Sequence, residues 1–415
     1  MKPFFVSPNE YELNASLPFG DKSITHRAVM LSSVCGGPLK ILNANISADT
    51  KATMDCMRTL GAEISVDGTT VFVTPIKSPP VNAVLYCKNS GTTARLLAGL
   101  VCGLGVNATF FGDVSLSKRP MPMIEPLSAM GAKITAGGKG LFSLESACLK
   151  GIKFIPPYPS AQLKSSVLLA GLYAEGATTV IEPVATRRHT EQMLGQMHAD
   201  IGFSGNSVTV KKSKLAGPEA ITVPNDFSLA AFLLPLGLKR GLKIKNVNLS
   251  KERTGFLKVL KNAGADITAD ITDAESQTGD LNVRPGEISP LYADENTVPD
   301  MIDEVIIACV TACLAKGKSV FRGVSGLRHK ESDRILSTLK MLSGLGCKAE
   351  AESGVITVYG DGKIRGGAVE TFSDHRIAMA GVVAGLLSEK GATIDDVGSI
   401  GVSSENFLQI LGLKK

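Results

Sequence analysis

The hydrophobic pattern of the chain repeats. An amphipathic helical stretch ends at or near a glycine and gives way to a strand, a turn and a second strand, and this happens five times. Leu60-Gly61-Ala62-Glu63-Ile64 leads into Val71-Phe72-Val73, and Met130-Gly131-Ala132-Lys133-Ile134 leads into Leu141-Phe142-Ser143-Leu144. Met197-His198-Ala199-Asp200-Ile201, Ala263-Gly264-Ala265-Asp266-Ile267 and Leu345-Gly346-Cys347-Lys348-Ala349 each precede a similar strand. The copies recur every ~65 to 80 residues, a period that fits about six units in 415 residues. A sixth copy is expected to be split across the termini, with the helical segment Asn406 to Gly412 followed by strands from Phe4-Phe5-Val6 and Tyr11 to Asn14. The chain then crosses twice between two domains, near Pro18 to Gly20 and Pro224 to Asp226. The expected domains are residues 1–19 plus 226–415, and residues 20–225.

Composition narrows the function. The net charge of +5 is modest and the basic residues are scattered, and the 5% of aromatic residues are too few for a base-stacking surface, so no nucleic-acid partner is expected. The eight cysteines form no CxxC pair and the five histidines lack metal-ligand spacing, so reduced thiols and no metal are expected. The apolar stretches around Leu96 to Val106 and Ile377 to Leu387 are glycine-broken and shorter than a bilayer requires, and the N-terminal apolar run is too short for a signal peptide. No membrane partner and a cytoplasmic location are expected.

The informative motifs share one grammar, a polar cluster followed at once by an apolar helical stretch. Free N–H groups and the positive dipole end make such helix starts ready anion sites. They include Asp21-Lys22-Ser23-Ile24-Thr25-His26-Arg27, Asn89-Ser90-Gly91-Thr92-Thr93-Ala94-Arg95, Ser160-Ala161-Gln162-Leu163-Lys164-Ser165-Ser166 and Thr186-Arg187-Arg188-His189-Thr190. Ser117-Lys118-Arg119-Pro120 reads as a loop in which Arg119 holds a carboxylate or phosphate. Arg328-His329-Lys330-Glu331-Ser332-Asp333-Arg334 packs six ionisable side chains into seven positions, although cations oppose the dipole at a helix start. Ser373-Asp374-His375-Arg376 repeats that arrangement, and Asp303 and Glu304 precede a wholly apolar helix. A capped surface helix explains any one cluster. At least six of them in a repeat array point to acid–base catalysis on polyanionic substrates.

With these motifs in this order, the chain resembles the 5-enolpyruvylshikimate-3-phosphate (EPSP) synthase family end to end. The resemblance implies an α/β fold, a two-domain inside-out α/β barrel of six repeated βαβαββ units, three per domain, with the two crossovers as a hinge. It implies transfer of the enolpyruvyl group of phosphoenolpyruvate to the 5-hydroxyl of shikimate 3-phosphate with release of phosphate, in the pathway to chorismate and the aromatic amino acids. Lys22, Ser23, Arg27, Ser160, Ala161, Gln162, Thr186 and Lys330 are implied to hold shikimate 3-phosphate, with Arg187 adding to its phosphate site. Lys22, Gly91, Arg119, Arg334 and Arg376 are implied to hold phosphoenolpyruvate. Asp303 is the expected base, with Glu331 and Lys22 handling the methylene proton and domain closure excluding water. No cofactor is required, and a monomer is expected.

Some positions depart from the family pattern. Lys88 stands where a glycine commonly precedes Asn89, Arg188 replaces an aspartate, Leu229 replaces a serine, and Val402 to Phe407 lacks a lysine that some members use for phosphoenolpyruvate. Two alternatives stay open at this point. One is the sister enolpyruvyl transferase acting on UDP-N-acetylglucosamine, which typically carries a cysteine in the loop corresponding to Gly112 to Pro120, where none stands here. The other is a non-catalytic anion-binding protein of the same fold.

Overall fold

The turn from helix to strand in each repeat needs one residue in the left-handed region, where glycine escapes the Cβ clash. Gly61, Gly131, Gly264 and Gly346 take it with φ of 105°, 101°, 93° and 73°, and in the remaining interior copy His198 takes it at 59°. All five turns close with the same backbone bond, from the residue after that position to a carbonyl five back: Ala62 to Met57, Ala132 to Leu127, Ala199 to Leu194, Ala265 to Leu260 and Cys347 to Leu342. A sixth closure of this kind, Leu413 to Leu408 with Gly412 at φ 70°, stands at the end of the chain. The sequence period is thus a period of helix terminations.

The computed structural model describes residues 3–413 except positions 15, 139 and 275. The chain forms two compact units, Gly20–Val223 and Met1–Phe19 with Pro224–Lys415. The described residues of Gly20–Val223 form three four-stranded sheets of one strand order. Asn82–Tyr86, Asn107–Phe111, Phe142–Glu145 and Lys133–Ala136 make one, with the first pair parallel and the others antiparallel. Lys153–Phe154, Ala177–Ile181, Ser207–Lys211 and Ile201–Ser204 repeat it. The third sheet takes its first strand, Ala220–Thr222, from the end of the unit and pairs it with Leu39–Leu42. A buried helix joins each parallel pair in the other two sheets, and the Lys22–Ser32 helix occupies the equivalent place here. That is a βαβαββ unit.

The other unit contains one complete copy, Tyr292–Ala293, Lys316–Arg322, Val355–Asp361 and Lys348–Glu352. Among its described residues the other two sheets have three strands each. In one, Asn225 makes only an isolated bridge to Val247. In the other, Phe4–Val6 pairs antiparallel with Ala392–Ile394, Phe4 opposite Ile394. The expected strand at Tyr11 to Asn14 does not form. Its backbone instead bonds the last carbonyls of the final helix, Glu12 N to Leu411 O and Asn14 N to Ile410 O, so those groups are satisfied without a ladder.

Helices lie inside and sheets outside in each unit. All nine residues of the Val305–Cys313 helix and all thirteen of His375–Leu387 are buried, as expected of helices apolar all round. The Asn82–Tyr86 strand alternates exposed and buried, with Val84 and Tyr86 on the solvent side. Gly99 allows a close helix contact, since a Cβ there would meet the Ser166 carbonyl oxygen at 1.9 Å. Inner helices that run through the core bring their N-terminal polar clusters together within each unit.

Candidate active site

In Gly20–Val223 the helix starts are joined by side chains. Asp21 caps its helix by accepting from Ile24 N at 2.9 Å, and Lys22 lies 3.0 Å from Asp49. Arg27 is buried and engages three elements. Its Nη1 donates to the Ser23 carbonyl at 2.9 Å, its Nε to Thr190 Oγ1 at 2.6 Å and its Nη2 to Ser165 Oγ at 2.8 Å. Arg27 is therefore a strut holding Ser23 and the starts of the Ala161–Gly171 and His189–Gln196 helices. Ser160 caps its helix through Leu163 N at 3.3 Å, so its hydroxyl oxygen accepts inward while its O–H can donate elsewhere. Next to it, Gln162 accepts from Arg95 Nη1 at 2.6 Å and donates to Thr92 Oγ1 at 2.9 Å.

Gly91 lies between two guanidinium groups. A Cβ there would stand 3.3 Å from Arg95 Nη1 and 3.5 Å from Arg119 Nη1. Arg119 also donates to Asn89 Oδ1 and to Ser115 Oγ. Arg95 was not among the expected site residues, although its place four after Gly91 on one helix face was a usable signal.

Thr186 is held by a network that the sequence does not announce. Its hydroxyl donates to Glu182 Oε1 at 2.5 Å, while Lys164, wholly buried, reaches Glu182 Oε2 at 2.8 Å, Glu191 Oε1 at 2.6 Å and the Thr186 carbonyl at 3.3 Å. Burial pushes the Glu191 carboxyl up, against the pull of Lys164. The neighbouring Arg187 is half-buried, and Arg188, the residue standing for an aspartate, lies over the Phe203 ring at 5.7 Å. Lys88, the residue standing for a glycine, is at φ 52°, which explains the glycine preference at this position.

His26 is buried on the Lys22–Ser32 helix, its Nδ1 2.7 Å from Thr53 Oγ1. Burial, and then the charges of Lys22 and Arg27, hold it well below its ordinary 6.5. Folded His26 stays neutral while the unfolded chain gains a proton below about 6.5. Stability is thus lost as pH falls below that value, by at most about 1.4 kcal/mol per pH unit from this group. A His26→Gln variant should lose less stability between about pH 7 and pH 5.5 than the parent in urea melts; equal losses in both proteins would assign the acid sensitivity elsewhere.

In the other unit the cluster is built on acids. Arg334 is 1% exposed, with Nε 2.8 Å from Asp374 Oδ2, Nη2 3.2 Å from Asp374 Oδ1 and Nη2 2.7 Å from Glu331 Oε2. Burial opposes its charge, but Asp374, Glu331 and Asp303 outweigh that and hold it above its ordinary range. Asp374 is likewise held below the usual carboxylate range, since Arg334 overcomes the effect of its burial. Asp374 also caps its helix through Arg376 N at 2.9 Å and follows two left-handed residues, Phe372 and Ser373, at φ 54° and 55°.

Asp303 stands among three cations. Its carboxylate lies 3.5 Å from Lys330, 3.7 Å from Arg334 and 3.8 Å from Arg376, and its backbone carbonyl accepts from Arg376 Nη1 at 3.0 Å. Behind it, buried Glu304 accepts from Ser228 Oγ at 2.5 Å, and Arg253 ties Ser228 to Asp226 at 3.1 and 2.5 Å. Leu229, which stands for a serine, packs in the hydrophobic core. Among the expected residues, Ser23 and Arg27 meet in one unit, with Lys22 at the same helix start turned to Asp49, and Gly91 meets Arg119; Asp303, Lys330, Glu331, Arg334 and Arg376 meet in the other. Asp374, Arg253 and Asp49 were not anticipated as members.

Buried helices that begin in cations and hydroxyls, with the Asp303 carboxylate among cations, define a protein fitted to anionic ligands on an inside-out α/β fold. The family model of EPSP synthase (3-phosphoshikimate 1-carboxyvinyltransferase) matches residues 12–411. The chain is 37% identical over 404 residues to the 3-phosphoshikimate 1-carboxyvinyltransferase of Desulfitobacterium hafniense DCB-2, covering 94% of this chain and 93% of that protein. It is 39% identical over 411 residues to the protein of that name from Thermodesulfovibrio yellowstonii, at 95% of each. The EPSP synthase of Acinetobacter baumannii superposes with a TM-score of 0.87 at 32% identity, over 99% of this chain and 97% of that one. The enolpyruvyl transferase NikO from Streptomyces tendae, at 16% identity and TM-score 0.78 over 99% and 97%, shares the fold. The chain belongs to the EPSP synthase family.

Proposed function

We propose a division of labour among these residues for the family's reaction. That reaction moves the enolpyruvyl group of phosphoenolpyruvate to the 5-hydroxyl of shikimate 3-phosphate and releases phosphate, in the shikimate pathway. The observation that carries the assignment of roles is the Asp303 carboxylate among Lys330, Arg334 and Arg376. Asp303 takes the proton of the attacking hydroxyl as oxygen bonds to C2 of the enol. Glu331 and Lys22 deliver a proton to C3 and recover it when the tetrahedral adduct expels phosphate. Ser23, Ser160, the Ala161 backbone, Gln162, Thr186, Arg187 and Lys330 bind shikimate 3-phosphate, with Lys22 and Arg27 supporting them. Lys22, Gly91, Arg119, Arg334 and Arg376 neutralise phosphoenolpyruvate. We also propose that the protein works as a cytoplasmic monomer, which light scattering of the purified protein tests for its oligomeric part.

The deciding experiment is phosphate release from phosphoenolpyruvate by purified protein with shikimate 3-phosphate, with UDP-N-acetylglucosamine and with neither. Release with shikimate 3-phosphate alone is expected; release with the nucleotide sugar would reassign the acceptor, and none with either would reduce the protein to a binder.

Gly91 gives a sharper test of the phosphoenolpyruvate assignment. An added methyl finds ordinary backbone, a tight contact of 3.3 Å with Arg95 Nη1 and ordinary contact with Arg119, and overpacking costs about 1–3 kcal/mol. Gly91→Ala is expected to raise the KM for phosphoenolpyruvate about tenfold, the fold-change equivalent of 1.4 kcal/mol, with the KM for shikimate 3-phosphate nearly unchanged. The reverse pattern in steady-state kinetics would move Gly91 to the other substrate.

A further inference from the structure

Two pairs of cysteines in this protein differ in their surroundings. Cys56 and Cys87 are buried at 1% and 0% exposure. Cys313 is buried and Cys347 partly exposed, and both residues line one surface cavity of about 250 Å³. Cys313 ends the wholly buried Val305–Cys313 helix, where its Sγ lies 3.4 Å from the Cys309 carbonyl. Cys347 sits in the repeat's turn, one residue before the Lys348–Glu352 strand. Lys348, Lys363 and Arg365 line the same cavity, as do Tyr359 and Asp361.

The cations are partly balanced, since Arg365 pairs with Asp361 and Lys363 with Glu389 at 2.9 Å. The Cys313 thiol nevertheless holds the Cys347 thiol below its ordinary range, helped by Arg365 and opposed by burial and Asp361. The same interaction pushes the Cys313 thiol up, with burial adding to it. Cys347 is therefore the more accessible and more readily ionised member, beside Lys348, Lys363 and Arg365, and Cys313 is its shielded neighbour. That asymmetry is what an attacking thiol and its resolving partner require.

We propose that Cys347 and Cys313 form a peroxide-reactive dithiol, Cys347 attacking and Cys313 resolving, in the cavity beside the Lys348–Glu352 strand. The Cys347 thiolate attacks one oxygen of hydrogen peroxide, the O–O bond breaks, and hydroxide leaves, giving a sulfenic acid. The Cys313 sulfur then attacks the sulfenic sulfur. The S–S bond forms, the S–OH bond breaks, and that hydroxyl leaves as water with the Cys313 proton. In sum two thiols lose two electrons and hydrogen peroxide becomes two waters, which is the reversible, sensing type of disulfide rather than a structural one.

The test treats the folded full-length protein with a small excess of hydrogen peroxide, alkylates the remaining thiols under denaturing conditions and maps the peptides by mass spectrometry. The expected result is a Cys313–Cys347 disulfide, two hydrogens lighter than the dithiol and reversed by dithiothreitol, while Cys56 and Cys87 remain reduced. In Cys313→Ser, Cys347 is expected to stop at the sulfenic acid and be captured by dimedone; in Cys347→Ser, Cys313 is expected to stay reduced. Exposed Cys148 serves as the internal standard. Cys347 reacting no faster than Cys148, or passing to sulfinic acid in the parent protein while Cys313 is still a thiol, would overturn the proposal.

Discussion

Asp303→Asn is expected to retain both substrates and lose about 10²- to 10⁴-fold in kcat, the range that general acid–base catalysis supplies. The side chain keeps its size and its place next to Lys330, Arg334 and Arg376. It loses its negative charge and, with it, the ability to accept the hydroxyl proton. Removing a negative charge from among three cations makes their surroundings more positive, so the KM values for the two anionic substrates should hold or fall. Calorimetric titration with shikimate 3-phosphate, set beside phosphate-release kinetics, separates the outcomes. Unchanged turnover would remove Asp303 from the base role. Loss of binding together with turnover would make it an organiser of the cations instead.

How much of this was readable in the chain depended on the range of the interaction. Helix starts and stops are local, so the capping residues Asp21, Ser90, Ser160, Asp333 and Asp374 stand where the polar clusters lie, and the repeat emerged from its turns. Even there, a glycine-like position occupied by His198 shows that the conformation rather than the residue type recurs. What a cluster of cations touches is not local. Arg27 meets Thr190 across 163 positions and Ser228 meets Glu304 across 76, and no periodicity encodes those partners. A run of cations at a helix start therefore pointed to anions in general, while the structure separates the fully buried ones locked onto internal carboxylates, Arg334 and Lys164, from Lys330, which stays partly exposed beside Asp303. The Tyr11 to Asn14 segment failed for a related reason. Its alternation suits a strand, but the nearest unsatisfied acceptors belonged to the final helix.

Arg334 carries the second large effect, and its test separates folding from substrate binding. The guanidinium is nearly inaccessible and forks onto Asp374, whose own hydrogen bond caps the His375–Leu387 helix. Breaking a buried ion pair from one side strands the other charge and costs about 3–5 kcal/mol. Asp374→Asn keeps a good capping side chain and removes only the charge, so denaturant melts should show a loss near the lower end of that range, about 3 kcal/mol. Adding Arg334→Met removes the cation, which in the single variant keeps only Glu331 and Asp303 as partners. The double variant should regain most of that stability, because a buried pair is often worth little against apolar replacements. Its kcat/KM for phosphoenolpyruvate should nevertheless stay far below that of the parent, since a cation proposed to neutralise the transferred phosphate is gone. If the double variant recovers both stability and turnover, Arg334 is only a structural partner of Asp374, and the charge facing phosphoenolpyruvate must be carried by Arg119 and Arg376. If it recovers neither, the pair specifies the local packing of the two helix starts, and substrate binding has to be probed from Arg376 instead.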